Sequence, residues 1–447
     1  YIRNDCCPKI QFSRHGLKSR NATPHKNNFI GGGGQAKCKT KLTNKSSVAA
    51  HSLRQQQQQL RRGLKTLTDF CRTLPLKQWA AGSGFSQRAA RKLTPLLFVQ
   101  ATVLLISQSA VSVRRWAILV GVLGRLTLSK QALWERLGEP AVEFLQQVLA
   151  AAVRWRAVNL GSRIPAALRG FGRVLVQDST TLQLCSALAQ CFPGGANQPG
   201  EAGGQLRIQA VLDLVSQRFV HFGLSHFRRN DQAAAYDVLA VVKKGDLVLR
   251  DLGYFVLGSL EKIVQAGAFF LSRLRVSTGI WDAQGQQALD LLKLLRRQGQ
   301  VDIDVRLGAR KVAARLVAVK LPTAVAAERR RRAHAGQKHD GRYQIQKRTL
   351  ALLDWAIFVT NVPRAVWSAQ TVVSVYGLRW RIEIIFKAWK SHFRLTDVPS
   401  GSEFELKAMI YGRLIFLTLW AHVCGQNWLR LQTDSRCGSA QSLLKVA

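Results

Sequence analysis

Three acidic residues, distant from one another along the chain, are the strongest candidates for chemistry. Asp178 and Asp251 each end a short apolar stretch that predicts a buried strand, and Glu383 lies in a long predicted helix. Carboxylates that meet at neighbouring strand ends, joined by a third from a packed helix, repel one another unless hard cations lie between them. A single Asp at a strand end is more often a turn or cap residue. The prediction of a Mg²⁺ site, with two ions for phosphodiester chemistry and Mn²⁺ as a substitute, therefore depends on all three residues meeting.

The segment around Glu383 carries four polar residues on one face of the predicted helix. At about 100° per residue, they fall within a face about 60° wide. They are Tyr376, Arg379, Glu383 and Lys390. Large apolar residues cover much of the remaining surface, so the polar line requires a site or partners. The alternative is a solvated face with salt bridges from Arg379 to Glu383 and from Glu383 to Lys387.

Changes in the spacing of apolar residues along the chain predict the strands and helices that position these residues. Strands are predicted over 173–178, 206–214, 218–224, 247–251, 268–274, 301–305, 314–319 and 356–360, with a hairpin turn at Ser216–Gln217. Helices are predicted over 232–242, 254–266 and 369–393, and from 403 onward. This order indicates an α/β layer with a mixed sheet. The four arginines from Arg329 to Arg332 are expected in a basic loop of a β-rich insertion.

Residues 60–168 have helical spacing. Within them, Ser129 is a predicted N-cap of a helix that carries Leu133 and Leu137 and ends at Gly138. Residues 128–137 have the pattern of the second helix of a helix-turn-helix, which would read a DNA groove. Ordinary core packing is the favoured interpretation.

The charge balance indicates an anionic partner. The chain has 66 Lys and Arg against 25 Asp and Glu, a net charge of +41. Residues 1–59 contribute +10, so the remaining 388 residues carry +31. Nucleic acid is the usual partner of so basic a folded body, because each neutralised phosphate releases counterions. A ribosome-associated protein, or one that is merely basic, is the alternative that charge alone leaves open.

Cysteine usage and hydropathy exclude other classes. None of the eight cysteines forms a Cys-x-x-Cys pair or stands at zinc spacing with histidine, so free thiols in a reducing cytoplasm are expected. No apolar run reaches the roughly 18–20 residues that a membrane span needs. The longest candidate, 409–423, contains Arg413.

Three motifs resemble those of DDE transposases of the insertion-sequence-four group. They are Asp178-Ser179-Thr180, Asp251-Leu252-Gly253-Tyr254, and the Tyr-x2-Arg-x3-Glu-x6-Lys array that begins at Tyr376. The resemblance covers about residues 170–423, and the last array is the most specific of the three. It implies a ribonuclease-H-like mixed sheet flanked by helices, with a β-rich insertion between the second Asp and the Glu.

The resemblance also implies roles for residues around the acids. Asp178, Asp251 and Glu383 would be catalytic and metal-binding. Tyr376, Arg379 and Lys390 would contact DNA phosphates, which suits a hydroxyl donor, a planar guanidinium and a point charge.

Several other residues have weaker claims. Arg273 lies where some relatives carry a DNA-contacting Arg, although a structural ion pair is nearly as strong an interpretation. Trp355 resembles a base-flipping Trp of a relative, but core packing is favoured. His221 and His226 point to opposite faces if one strand contains both, so a shared metal is not expected. Four further carboxylates are interpreted as structural: Asp213, Asp231, Asp237 and Asp246.

The predicted organisation has six parts. They are a disordered basic extension over 1–59, a helical, DNA-binding domain over 60–168, the catalytic core over 169–275 and 352–400, the insertion over 276–351, and a helical segment over 401–447. The resemblance implies a bacterial enzyme that nicks transposon ends and joins the freed 3′-hydroxyls to target DNA, without a covalent enzyme–DNA link. It would act as a homodimer on DNA, in the cytoplasm at the nucleoid. A metal-dependent nuclease that cannot join, and an inactive DNA-binding remnant, stay open as alternatives.

Overall fold

Among the described residues, nine strands pair into one mixed sheet. The computed structural model describes residues 65–87, 92–105, 111–155, 165–195, 203–339, 345–391, 393–397 and 401–433. The strands are β1 Val174–Gln183, β2 Gln205–Asp213, β3 Arg218–His226, β4 Leu247–Arg250, β5 Phe269–Arg273, β6 Ile280–Trp281, β7 Val301–Leu307, β8 Val312–Lys320 and β9 Trp355–Thr360. Their spatial order is β3-β2-β1-β4-β5-β9-β8-β7-β6. The extension predicted over 1–59 lies outside the described residues.

The central strands explain where the two aspartates lie. β1 pairs in parallel with β4 over four residues, from Val174 to Gln177, and β4 pairs in parallel with β5. All four residues of β4 are buried, as expected for a strand covered on both faces. β1 continues beyond the predicted end, to Gln183, paired only with β2. Asp178 is therefore the first residue of β1 after the segment that pairs with β4, and Asp251 directly follows β4.

Helices cover both faces of the sheet. They are α1 over 65–72, α2 Leu76–Gly82, α3 Pro95–Leu105, α4 Val113–Gly124, α5 Lys130–Trp134, α6 Glu139–Arg154, α7 Leu257–Gln265, α8 Leu291–Gln298, α9 Thr323–His339, α10 Lys347–Leu352, α11 Ala369–Gly377, α12 Trp380–Ser391 and α13 Glu403–Thr433. The N-terminal helices, α12 and α13 share one apolar core with one face of the central strands. α7 and α8 share a second core with the other face.

The N-terminal region is helical, as predicted, but the expected helix after Ser129 is short. The Ser129 hydroxyl accepts from the backbone N–H of Ala132 at 3.1 Å, which confirms the N-cap. The helix α5 then spans only five residues and does not continue to Gly138. Leu133 and Leu137 are buried in the core. This packing supports the favoured interpretation over a groove-reading helix.

The insertion contains the predicted strands, and it joins the central sheet because β8 pairs with β9. Its basic stretch differs from the prediction. The residues from Arg329 to Arg332 lie in the helix α9 and not in a basic loop. Ala and Arg have high helix propensities, and Glu328 pairs with Arg332 one turn later, at 2.7 Å. The prediction of a basic loop was wrong because it considered charge and neglected these propensities.

Two other predicted helices have different geometry. The segment predicted as a helix over 232–242 is a 3₁₀ helix, Ala233–Ala240. The helix predicted over 369–393 is divided into α11 and α12. At the division, Arg379 N–H donates to the Tyr376 carbonyl at 3.1 Å, the shorter i to i−3 spacing of a 3₁₀ turn. Gly377, a poor helix former, lies at the division. The predicted angles of about 100° per residue therefore do not apply across it.

None of the described helices is both long and apolar enough to cross a membrane. Cys71, Cys185 and Cys191 are free thiols.

Candidate active site

The three predicted carboxylates converge on one guanidinium group. Asp178 lies on β1, Asp251 directly follows the neighbouring strand β4, and Glu383 lies in the first turn of α12, which packs on β1. Arg379 contacts all three: its Nη1 lies 3.4 Å from Asp178 Oδ2, its Nε 3.9 Å from Asp251 Oδ1, and its Nη2 2.6 Å from Glu383 Oε1. The salt bridge from Arg379 to Glu383, considered as an alternative to a site, is present within this cluster. The catalytic role of the three acids stays a prediction.

The cluster is largely withdrawn from water. The Arg379 side chain is 5% exposed, and those of Asp178, Asp251 and Glu383 are 16%, 29% and 26% exposed. Burial alone would lower the pKa of Arg379, but Tyr376 and the three carboxylates together raise it, so the guanidinium stays charged. The single positive charge of Arg379 thus faces three acidic groups.

The pKa values of Asp178 and Glu383 show the effect of this excess of acidic groups over positive charge. Burial raises the pKa of Asp178 to about 7, and repulsion from Glu383 and Asp251 adds to the shift. Arg379 and the backbone N–H of Ser179 oppose it, but only in part. Burial also raises the pKa of Glu383, against the influence of Arg379. The positive charge of Arg379 therefore compensates the three carboxylates only in part.

The cluster fits divalent cations by its chemistry. Its donors are carboxylate oxygens, the ligands that Mg²⁺ and Mn²⁺ prefer, and one arginine does not balance three carboxylates. Among the residues that the structure describes, no group of three His, Cys, Asp or Glu is already arranged to hold a metal ion. In this cluster the Arg379 guanidinium lies among the three carboxylates. Binding of an ion would require Arg379 to withdraw from at least some of these oxygens.

The predicted phosphate-contacting residues lie at different places. The Tyr376 hydroxyl donates to Asp251 Oδ1 at 3.2 Å, and burial raises the pKa of this hydroxyl. Arg273, at the end of β5, lies close enough to Tyr376 for its charge to oppose that rise. Lys390 lies two turns beyond Glu383 on α12 and is half-buried. The structure thus brings Tyr376 and Arg379 directly to the carboxylates.

Trp355 and three of the carboxylates interpreted as structural have structural partners. Trp355 is buried in the core beside α8, and its indole N–H donates to the Gly299 carbonyl at 3.0 Å, in keeping with core packing. The three carboxylates and their partners are Asp213 with the hydroxyl of Ser216, Asp237 with Arg229, and Asp246 with Arg173.

Asp231 differs from these carboxylates, because it accepts a hydrogen bond from the Ser179 hydroxyl at 2.8 Å, directly beside Asp178. The sequence alone did not predict this contact beside the acidic cluster. The available signal was the polar Ser179 and the small Gly253 in the two Asp motifs, both of which contact Asp231.

The sheet and the cluster together define the class of protein. Two acids on adjacent parallel strands, with a third on a helix packed against them, form a ribonuclease-H-like arrangement in an α/β protein. Residues 169–419, more than half of the chain, match the family described as Transposase DDE domain. The chain belongs to this family.

Its relatives include transposases of bacterial insertion sequences. The transposase for insertion sequence element IS231B of Bacillus thuringiensis subsp. berliner is 28% identical over 325 residues, which cover 68% of this chain and 66% of the relative. The transposase for IS1151 of Clostridium perfringens is 27% identical over 317 residues, 65% of each chain. The chain therefore spans slightly less than two thirds of the length of these relatives.

Proposed function

We propose that the protein is a transposase that cleaves DNA at the ends of an insertion sequence and joins the freed 3′-hydroxyls to target DNA. The observation that carries this proposal is the convergence of Asp178, Asp251 and Glu383 on Arg379, in a chain of the DDE family. These three carboxylates would hold two divalent ions, Mg²⁺ or Mn²⁺. Such ions activate a water or 3′-hydroxyl and stabilise the leaving oxygen in an in-line displacement.

The residues around the carboxylates would hold the DNA backbone. Arg379 and Tyr376 place N–H and O–H donors at the acids, where the reacting phosphate must lie. Arg273 adds a positive charge beside Tyr376. Lys390, two turns beyond Glu383, would contact a neighbouring phosphate along the same helix.

A second basic surface lies on the insertion. Lys293, Arg296 and Arg297 are exposed on α8, whose Leu291 and Leu295 are buried. Positive side chains on one side of an anchored helix suit the regular spacing of DNA phosphates. We therefore propose DNA, at the nucleoid, as the partner. Joining requires both transposon ends to meet, so we also propose that two protomers act together, one at each end.

A cleavage assay with uncut ends and a strand-transfer assay with pre-cut ends together test the proposal. Joined products in Mg²⁺ support a transposase, whereas cleavage without joining would assign the chain to the nuclease alternative. Asp178→Asn should abolish both reactions and leave DNA binding intact, since it removes one metal ligand and no phosphate-binding group. A chain that binds DNA but neither cleaves nor joins it would be the inactive remnant.

A further inference from the structure

A polar network lies directly behind the acidic cluster, on the opposite face of β1. Neighbouring residues of a strand point to opposite faces, so Asp178 faces α12 and Ser179 faces away from it. The Ser179 hydroxyl donates to Asp231 Oδ1 at 2.8 Å. The Ser179 backbone N–H donates to Asp178 Oδ1, also at 2.8 Å. Ser179 therefore connects the two carboxylates across the sheet.

Asp231 is held by three donors. Its Oδ1 accepts from Ser179, from Arg207 Nη1 at 2.7 Å and from Gln209 Nε2 at 3.3 Å. Arg207 is buried and also stacks its guanidinium over the Phe227 ring, 4.7 Å from the ring centre. A carboxylate fixed by a buried arginine and two further donors has little freedom to rotate.

The same network contacts the second Asp motif. A Cβ atom at Gly253 would lie 3.0 Å from Asp231 Oδ2 and 3.3 Å from Asp231 Cβ, so any larger residue there would require Asp231 to shift. The buried Tyr254 donates its hydroxyl to Gln209 Oε1 at 2.5 Å. Asp231 and its neighbour Gln209 therefore contact the turn that follows Asp251.

We propose that Asp231 is a positioning residue that sets the placement of Asp178 and Asp251 relative to each other for divalent-cation binding. The inference rests on the proposed function, because it assumes that these two acids are metal ligands. It assigns a common purpose to Ser179, Gly253 and Tyr254, three of the residues beside the acids in the two Asp motifs. Partners that orient metal ligands typically change metal affinity by about 10- to 100-fold when removed.

Mn²⁺ titrations followed by electron paramagnetic resonance test the proposal on the full chain without DNA. We expect Ser179→Ala and Asp231→Asn each to weaken Mn²⁺ binding by about tenfold. The double variant should bind Mn²⁺ no more weakly than Asp231→Asn alone, because both changes act on one hydrogen bond: Ser179→Ala removes its donor, and Asp231→Asn removes the charge of its acceptor. Asp237→Asn is the matched control, since Asp237 lies in the same segment but pairs with Arg229, and it should bind Mn²⁺ as the wild type does.

One further variant, Asp178→Asn, makes the outcomes distinct. If wild-type protein and Asp178→Asn bind Mn²⁺ equally, the proposed function fails. If Asp178→Asn abolishes binding while Ser179→Ala and Asp231→Asn retain wild-type affinity, or their effects multiply, the positioning role is overturned. Asp231→Asn leaves the buried Arg207 with one charge fewer nearby, so circular dichroism must show that this variant folds. If it does not, Ser179→Ala, which keeps both charges, decides the question.

Discussion

Replacing Asp178 by Asn should stabilise the folded protein at alkaline pH when no divalent ion is present. The Asp178 carboxyl is largely buried, and the cation beside it, Arg379, is shared with two other acids. Burial raises its pKa from 3.8 to about 7. Ionising this group in the folded chain therefore costs more than ionising it in the unfolded chain. An amide keeps the size and a hydrogen-bond acceptor but carries no charge.

The magnitude and the pH window follow from this pKa. Because the folded value is raised, the contribution of Asp178 to stability is greatest at low pH, falls as the pH rises from about 4 to about 7, and is constant above. The difference between the ordinary pKa of 3.8 and the folded pKa of about 7 means that the ionised Asp178 costs about 4 kcal/mol of stability at pH 8.5 and about 2 kcal/mol at pH 5. The side chain is 16% exposed, so relaxation and water reduce both figures. We expect Asp178→Asn to gain about 2–4 kcal/mol at pH 8.5 and clearly less at pH 5.

Urea unfolding in EDTA at the two pH values measures the effect. The matched control is Asp246→Asn, which removes a buried carboxylate that is paired with Arg173 at 2.5 Å. That variant should be less stable by about 1–3 kcal/mol at both pH values, because it leaves a partly buried arginine uncompensated. Added Mn²⁺ should stabilise the wild type and not Asp178→Asn. Equal stability of Asp178→Asn and wild type at pH 8.5, or the same gain at both pH values, would refute the reasoning.

Three other variants test separate parts of the molecule. Arg379→Gln should lower the free energy of unfolding in EDTA by about 3 kcal/mol and increase the stabilisation by Mn²⁺ in thermal melts, because it leaves the carboxylates without their shared cation. Asp302→Asn should cost about 3 kcal/mol in urea unfolding, since it removes the negative charge and one of the two oxygens that accept 2.7 Å bonds from the buried Arg315. The pKa of Asp302 is lowered by this partner, so the contribution of Asp302 disappears as the pH falls below about 4. Changing the three exposed basic residues of α8 to Ala should weaken DNA binding and reduce the slope of log K against log salt by about 0.9 for each phosphate that is no longer neutralised. An unchanged slope would remove α8 from the DNA-binding surface.

The sequence was most informative where burial leaves an uninterrupted apolar pattern. β4 and the hairpin of β2 and β3 lie close to their predicted positions, because both patterns come from residues adjacent in the chain. The division between α11 and α12 was missed, although Gly377 marks it, because apolar residues continue on both sides. Extension of the sheet by β8 was also missed. Strand pairing joins residues far apart in the chain, such as Val317 and Phe358, and no local pattern encodes it.

The candidate site shows the same limit at the level of side chains. The fixed spacing of the array around Glu383, together with the family resemblance, predicted Asp178, Asp251 and Glu383, and the structure brings these three residues together around Arg379. Residue types and spacing could not distinguish Asp231 from other carboxylates of the same region. That distinction depends on hydrogen bonds from Ser179 on β1 and from Arg207 on β2, and these strands meet Asp231 only in the folded protein.

Under the proposed function, the position of Arg379 would connect metal binding with DNA binding. Its guanidinium cannot remain among three carboxylates and also donate both arms of its planar fork to a phosphate. Divalent ions at the carboxylates would supply the positive charge that Arg379 now provides, and would thereby free it for the DNA backbone. Because such coupling is reciprocal, a phosphate that attracts Arg379 would also favour ion binding at the acids. Arg379 would then offset part of the negative charge of the cluster before the ions bind, and it would contact the DNA backbone after they bind.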